Sequence, residues 1–139
     1  MANAVRLGFL THVEGQADLA TLYRRLITQF VAAEELGFDS GWIAQHHFED
    51  GRSGAGAGAS PFVLLAAVAE RTSRIRLGTA VMTIPLENPL RLAEDAATVD
   101  LISGGRVELG IGSGFDEMTF AAFGVPIRSE ERRVGKECA

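Results

Sequence analysis

Cysteine is nearly missing from this 139-residue chain: the one present, Cys138, has no partner for an internal disulfide, which fits a reducing compartment. Lysine is as scarce. Twelve arginines and one lysine face eighteen acids for a formal net charge of -5, so the basic footprint of a nucleic-acid binder is absent. Long apolar runs are absent too. The longest, residues 62–69, is far short of the ~20 residues that span a bilayer. The N-terminal stretch carries Arg6 within its apolar part rather than ahead of it, unlike a signal peptide. These absences point to a cytoplasmic protein with neither nucleic acid nor membrane as partner. What is present is a 47% hydrophobic, 22% charged composition. A single domain of this size buries roughly 68% of its extended surface, so it needs no disulfide or metal for stability.

Strand and helix signals alternate along the chain. Residues 5–11 form a short apolar run suited to a strand buried on both faces. Leu19, Leu22, Tyr23, Leu26, Ile27, Phe30 and Val31 then recur at helical spacing, with Asp18 as N-cap and Gly37 as terminator. Residues 38–44 read as a second strand that leads into Gln45, His46, His47 and Phe48, followed by a Gly/Ala/Ser loop at 51–59. Ser60-Pro61 opens a helix to residue 71, and residues 75–81 read as a third strand. Asn88-Pro89 opens a helix through about Leu101 that Gly104 and Gly105 stop. Residues 107–111 read as a fourth strand, and 115–123 as a short helix ending at Gly124. Such alternation predicts parallel strands joined by right-handed crossovers.

Two architectures satisfy that pattern. A doubly wound open sheet would be complete at this length, whereas a (βα)8 TIM barrel needs ~250 residues and would here supply only its first four βα units. Ser129, Glu130 and Glu131 look like the capped first turn of another helix with the chain nearly spent, which favours the half barrel. Ligands of either fold sit past the C-terminal ends of the strands. All three histidines, His12, His46 and His47, fall there. Adjacent strand side chains point to opposite faces, so at most one of His46 and His47 is expected to face the mouth of the barrel. The contiguous pair also lacks the His-x-His spacing of barrel metal sites, so no metal is expected. Gly110, Gly112 and Gly114 lack the third glycine of a dinucleotide fingerprint, since Phe115 stands in its place. They read as a tight turn or as a close approach for a flat ligand.

With these residues in place, the chain resembles the bacterial-luciferase-like flavin monooxygenase superfamily. The resemblance rests on ELGFD at 35–39, WIAQHHF at 42–48, LGTAV at 77–81, NPLRLAED at 88–95 and SGGRVELGIGSGF at 103–115, taken in order. It implies a (βα)8 barrel, with residues 1–133 as its N-terminal half and 134–139 as a tail outside the family pattern. It also implies reduced FMN, supplied by a separate flavin reductase, that reacts with O2 to oxygenate a small organic substrate. His46 matches the histidine used in proton transfer, and Ala80-Val81 matches a non-prolyl cis peptide beneath the flavin. Gly112, Ser113 and Phe115 match flavin-lining positions, leaving His12 and His47 for the substrate pocket.

Departures from the pattern qualify these implications. Ser113 stands where luciferase has a phosphate-binding arginine, and Gln45 where it has a glutamate, so light emission is not implied. Some relatives use a deazaflavin coenzyme for hydride transfer, and others are subunits without productive flavin. A metal hydrolase half barrel is the remaining alternative. The family would continue past Val134 in a helix, so the sequence is expected to be a truncated or frame-broken product, inactive by itself, whose parent is a homo-oligomer. Unpaired edges at its first and fourth strands predict self-association.

Overall fold

A computed structural model of the chain describes residues 5–48 and 60–127. The first helix, α1 (Leu19–Glu35), begins where Asp18 accepts hydrogen bonds from the Thr21 N–H (3.0 Å) and hydroxyl (2.7 Å). It buries Leu22, Leu26, Phe30 and Ala33, one stripe at three-to-four spacing. Each large side chain in such a stripe contributes ~1.5–3 kcal/mol on burial. Phe30 lies against the backbone of Gly41, where a Cβ would come within 2.4 Å of its ring. Glycine at 41 is therefore what lets α1 seat on the sheet.

That sheet is parallel. Strands β1 (Gly8–Thr11), β2 (Ser40–Ile43), β3 (Arg76–Thr79) and β5 (Val107–Glu108) pair in that order, with β1 and β5 at its edges. The register sets Phe9, Gly41, Leu77 and Val107 on the face covered by the helices. Leu10, Trp42 and Gly78 lie on the other, inner face, where the Trp42 indole rests across Gly78 so closely that a Cβ there would be 2.1 Å from it. The Arg76 guanidinium pairs with Glu108 on this face as well.

The helices α2 (Pro61–Ala69), between β2 and β3, and α3 (Pro89–Ser103), between β3 and β5, pack against each other and the sheet. Asn88 caps α3 by accepting from the Leu90 and Arg91 N–H groups, and Gly104 ends it in the left-handed conformation (φ 73°). Arg106 is buried without any carboxylate partner. Its guanidinium donates to the carbonyls of Ala69, Thr72, Ile75 and Ser103 and to the Thr72 hydroxyl, at 2.7 to 3.1 Å. A fixed cationic fork at the C-terminal end of α2 thus takes up carbonyls that the helix leaves unpaired.

The structure corrects several boundaries. Pairing begins at Gly8 and not residue 5, β2 is confined to 40–43, and α2 ends at Ala69 rather than 71. Ser60 precedes Pro61 as expected, but its side chain makes no capping bond. The predicted third strand breaks after Thr79, and pairing resumes in β4 (Met82–Thr83), followed by a 3-10 turn over Ile84–Leu86. The predicted fourth strand breaks likewise into β5 and β6 (Ile111–Gly112), and β6 pairs with β4 in a separate two-stranded sheet. Both breaks trace to buried Thr79, whose hydroxyl donates to the Gly110 carbonyl (2.9 Å) and accepts from its N–H (3.0 Å). A side chain there takes up the backbone groups that a continuous ladder would use. The last helix, α4 (Glu117–Ala122), starts after Asp116 rather than at Phe115. The loop at 51–59, the cap at Ser129 and the tail at 134–139 lie outside the described residues.

Candidate functional site

His12 follows β1, Gln45 to His47 follow β2, Ala80 and Val81 join β3 to β4, and Ser113 and Phe115 follow β6. Parallel strands bring all these segments to one end of the sheet, where specific contacts tie them together. The His12 and His46 rings stack, with centroids 5.2 Å apart and an interplanar angle of 30°. His47 instead meets Phe123 edge-on, at 4.7 Å. The adjacent histidines, which lie past the end of β2, therefore meet different partners.

Gln45 locks the exit of β2 to the next strand. Its carbonyl oxygen accepts from the Thr83 N–H (2.8 Å), and its amide donates to the Glu87 carboxylate (2.7 Å). The sequence places Gln45 at the exit of the second strand and marks it as a departure from the family pattern, but not as a clamp. Its partners lie 38 and 42 residues away, so no local signal could reveal the clamp. Asp116, also missed, caps α4 through Met118, Thr119 and the Thr119 hydroxyl, and its charge acts on His46. An acid three residues before a threonine, as at the Asp18 cap, was the available signal.

The Ala80–Val81 peptide bond is cis, as the resemblance implies. Gly110, Gly112 and Gly114 stand opposite Thr79, Val81 and Thr83. A Cβ would come within 2.0 Å of the Thr79 carbonyl at Gly110, 2.6 Å of a Val81 methyl at Gly112, and 2.4 Å of the Thr83 methyl at Gly114. The glycine spacing thus receives the neighbouring strand. Gly112, moreover, lies within β6 and not beyond a strand end. Val81 sits on it and keeps 40% of its surface exposed, beside an exit where Phe115 is 69% exposed.

The electrostatics follow from burial. His46 is held below the ordinary histidine value of 6.5, first by burial and then by the charge of His12, against the opposing pull of Asp116 and Glu14. Burial also pushes His47 down, with Glu87 opposing. The Nδ1 of His12 and the Nε2 of His47 are buried without a hydrogen-bond partner. Ring nitrogens left without a partner in this way suit hydrogen bonding to a polar heterocycle or substrate. No lysine or arginine stands at these strand exits among the described residues, so nothing there answers a phosphate. The same residues contain no group of three His, Cys, Asp or Glu able to hold a metal ion, and no helix long and apolar enough to cross a membrane. A charged concavity of about 530 Å³ opens at the opposite ends of the strands, far from the histidines. Several of its charges are paired within the chain: Glu34 with the N–H groups of 73–75, Asp39 with the Leu7 N–H and Arg76 with Glu108.

Parallel βα units with polar groups gathered at the strand exits define the class as α/β, a partial (βα)8 barrel. The chain belongs to the luciferase-like monooxygenase family, whose sequence pattern matches residues 5–137. It is 33% identical over 115 residues to the alkanal monooxygenase alpha chain of the Kryptophanaron alfredi symbiont, covering 83% of this chain and 31% of that one. It is 44% identical over 94 residues to the F420-dependent glucose-6-phosphate dehydrogenase of Amycolatopsis mediterranei, covering 66% and 27%. The oxygenating constituent of 3,6-diketocamphane monooxygenase from Pseudomonas putida, solved with FMN, superimposes with a TM-score of 0.81 at 25% identity, covering 91% and 35%. The chain spans about a third of the length of the curated relatives it matches. The family thus includes FMN monooxygenases and F420-dependent oxidoreductases.

Proposed function

We propose that this chain supplies one wall of the flavin site of an oxidoreductase that uses reduced FMN, delivered by a separate reductase, and O2 to oxygenate a small organic substrate. The observation that carries this reading is the convergence of the stacked His12–His46 pair, the Val81–Gly112 contact and Phe115 on one end of the sheet. Ala80, Val81, Gly112, Ser113 and Phe115 would line the flavin ring. The orphaned nitrogens of His12 and His47 fit the polar edge of a substrate or ring. Among the described residues no basic side chain stands at these exits, which leaves the cofactor phosphate to other parts of a complete barrel. When bound, the flavin would supply the redox chemistry. The chain's own residues exclude water, orient the bound molecules and, at the neutral ring nitrogens of His46, accept or return a proton.

A deazaflavin hydride-transfer enzyme is the second reading, favoured by the 44% identity to an F420-dependent dehydrogenase. A non-catalytic family subunit is the third. Titration of the full chain with FMN, read by quenching of its emission, tests the proposal. Saturable quenching that weakens in Phe115→Ala supports it. Saturable binding of the deazaflavin with none of FMN moves the assignment to the second reading, and binding of neither moves it to the third. In a complete barrel, the site is expected within a cytoplasmic homo-oligomer.

A further inference from the structure

Among the described residues, the His12 ring has no hydrogen-bond partner that explains its position. It lies between β1 and α1, and its Nδ1 is buried without a hydrogen-bond partner among the described residues. What it does have is a neighbour: the His46 ring, 5.2 Å away and within 30° of parallel. Stacking of neutral imidazoles is favourable, whereas two imidazolium rings face to face repel in a site partly removed from water.

We propose that His12 is a positioning residue for His46, the two stacked rings holding at most one proton between them, so that His12 keeps His46 available as a proton acceptor. The proposal deepens the flavin reading and rests on it for its purpose, although the proton sharing is a property of the chain alone. Among the described residues, four groups act most strongly on the charge of His46. His12 comes from the exit of β1 and Glu14 from the loop that follows it, His47 from the same segment as His46, and Asp116 from the N-terminus of α4. Asp116 accepts from Met118, Thr119 and the Thr119 hydroxyl, which fixes the carboxylate whose charge acts on His46. The two carboxylates favour a proton on His46, and His12 acts against it in the same direction as burial. A proton taken by either ring thus raises the cost of protonating the other, which is the condition for coupled titration.

The test uses the whole chain without cofactor. The ring-proton resonances of the three histidines are followed by NMR from mildly acidic to mildly alkaline pH in the wild type, in His12→Phe, which keeps a stacking ring, and in His12→Asn. The proposal expects a broadened, two-step curve for His46 in the wild type. In both variants it expects a single step displaced to higher pH, with the His47 curve unmoved. Independent single-step curves for His12 and His46 in the wild type would overturn it whether or not the variants fold. So would a His46 curve unchanged in either variant that retains the native spectrum. Because no flavin is present, this outcome is separate from the FMN titration: coupled histidines without flavin binding would sink the functional reading alone.

Discussion

Thr79 and Gly110 exchange two hydrogen bonds through one hydroxyl, and this exchange parts the main sheet from the β4–β6 pair that carries the candidate site. Thr79→Val keeps the shape but leaves the Gly110 N–H without a partner, while the Gly110 carbonyl still accepts from the Met82 N–H (2.9 Å). The expected cost is ~1–3 kcal/mol, read as a lowered urea midpoint. Gly110→Ala is expected to be worse, since its Cβ would meet the Thr79 carbonyl at 2.0 Å.

Arg106→Lys is expected to be far from conservative. One ammonium with three donors cannot serve the five acceptors that the guanidinium reaches. A loss of at least ~3 kcal/mol, nearly matching that of Arg106→Met, should appear in chemical denaturation. A lysine variant within 1 kcal/mol of wild type would disprove the fork argument.

Glu34 gives stability an acid limb. Burial works against its ionisation, but the N–H groups of Ile75, Arg74 and Ser73 outweigh it and hold the carboxyl below its ordinary value of 4.5. The native value lies below the unfolded one, so the contribution is complete above about pH 4.5 and is lost as pH falls through the native value. Glu34→Gln should therefore cost about 1 kcal/mol near neutrality, after allowing for solvent screening, and less at low pH. Urea midpoints measured from about pH 7 to about pH 3 should converge for the two proteins.

His47→Leu is expected to leave stability within about 1 kcal/mol of wild type or to raise it. The ring packs on Phe123, and its buried Nε2 bonds nothing, so an apolar replacement removes an unmet polar group. The protonation that burial disfavours is removed with it, so the variant should lose less stability than wild type as pH falls below about 6.5. Thermal melts at two pH values check both statements.

The sequence disclosed what local chemistry decides. Asp18, Asn88 and Gly104 cap their helices as their residue types predict, and the alternation of apolar segments yields parallel strands. It could not disclose the strand breaks, because they depend on a threonine and a glycine 31 residues apart. Apolar side chains at Val5 and Leu7 precede the ladder of β1, and those at Ala80 and Val81 follow that of β3, so hydrophobicity overstated the strands. Arg106 was invisible for a similar reason: a buried arginine answered by carbonyls leaves no acidic partner to find. The histidines were found because their positions follow from the strand exits, but the stacking of His12 on His46 required the register of two strands.

The indole that lies over Gly78 belongs to the chain's single tryptophan. Trp42 is therefore an intrinsic optical gauge of the inner face. Its emission reports that surface with no competing signal from elsewhere in the molecule, so any strand or ligand that comes to cover the face announces itself in the colour of the light.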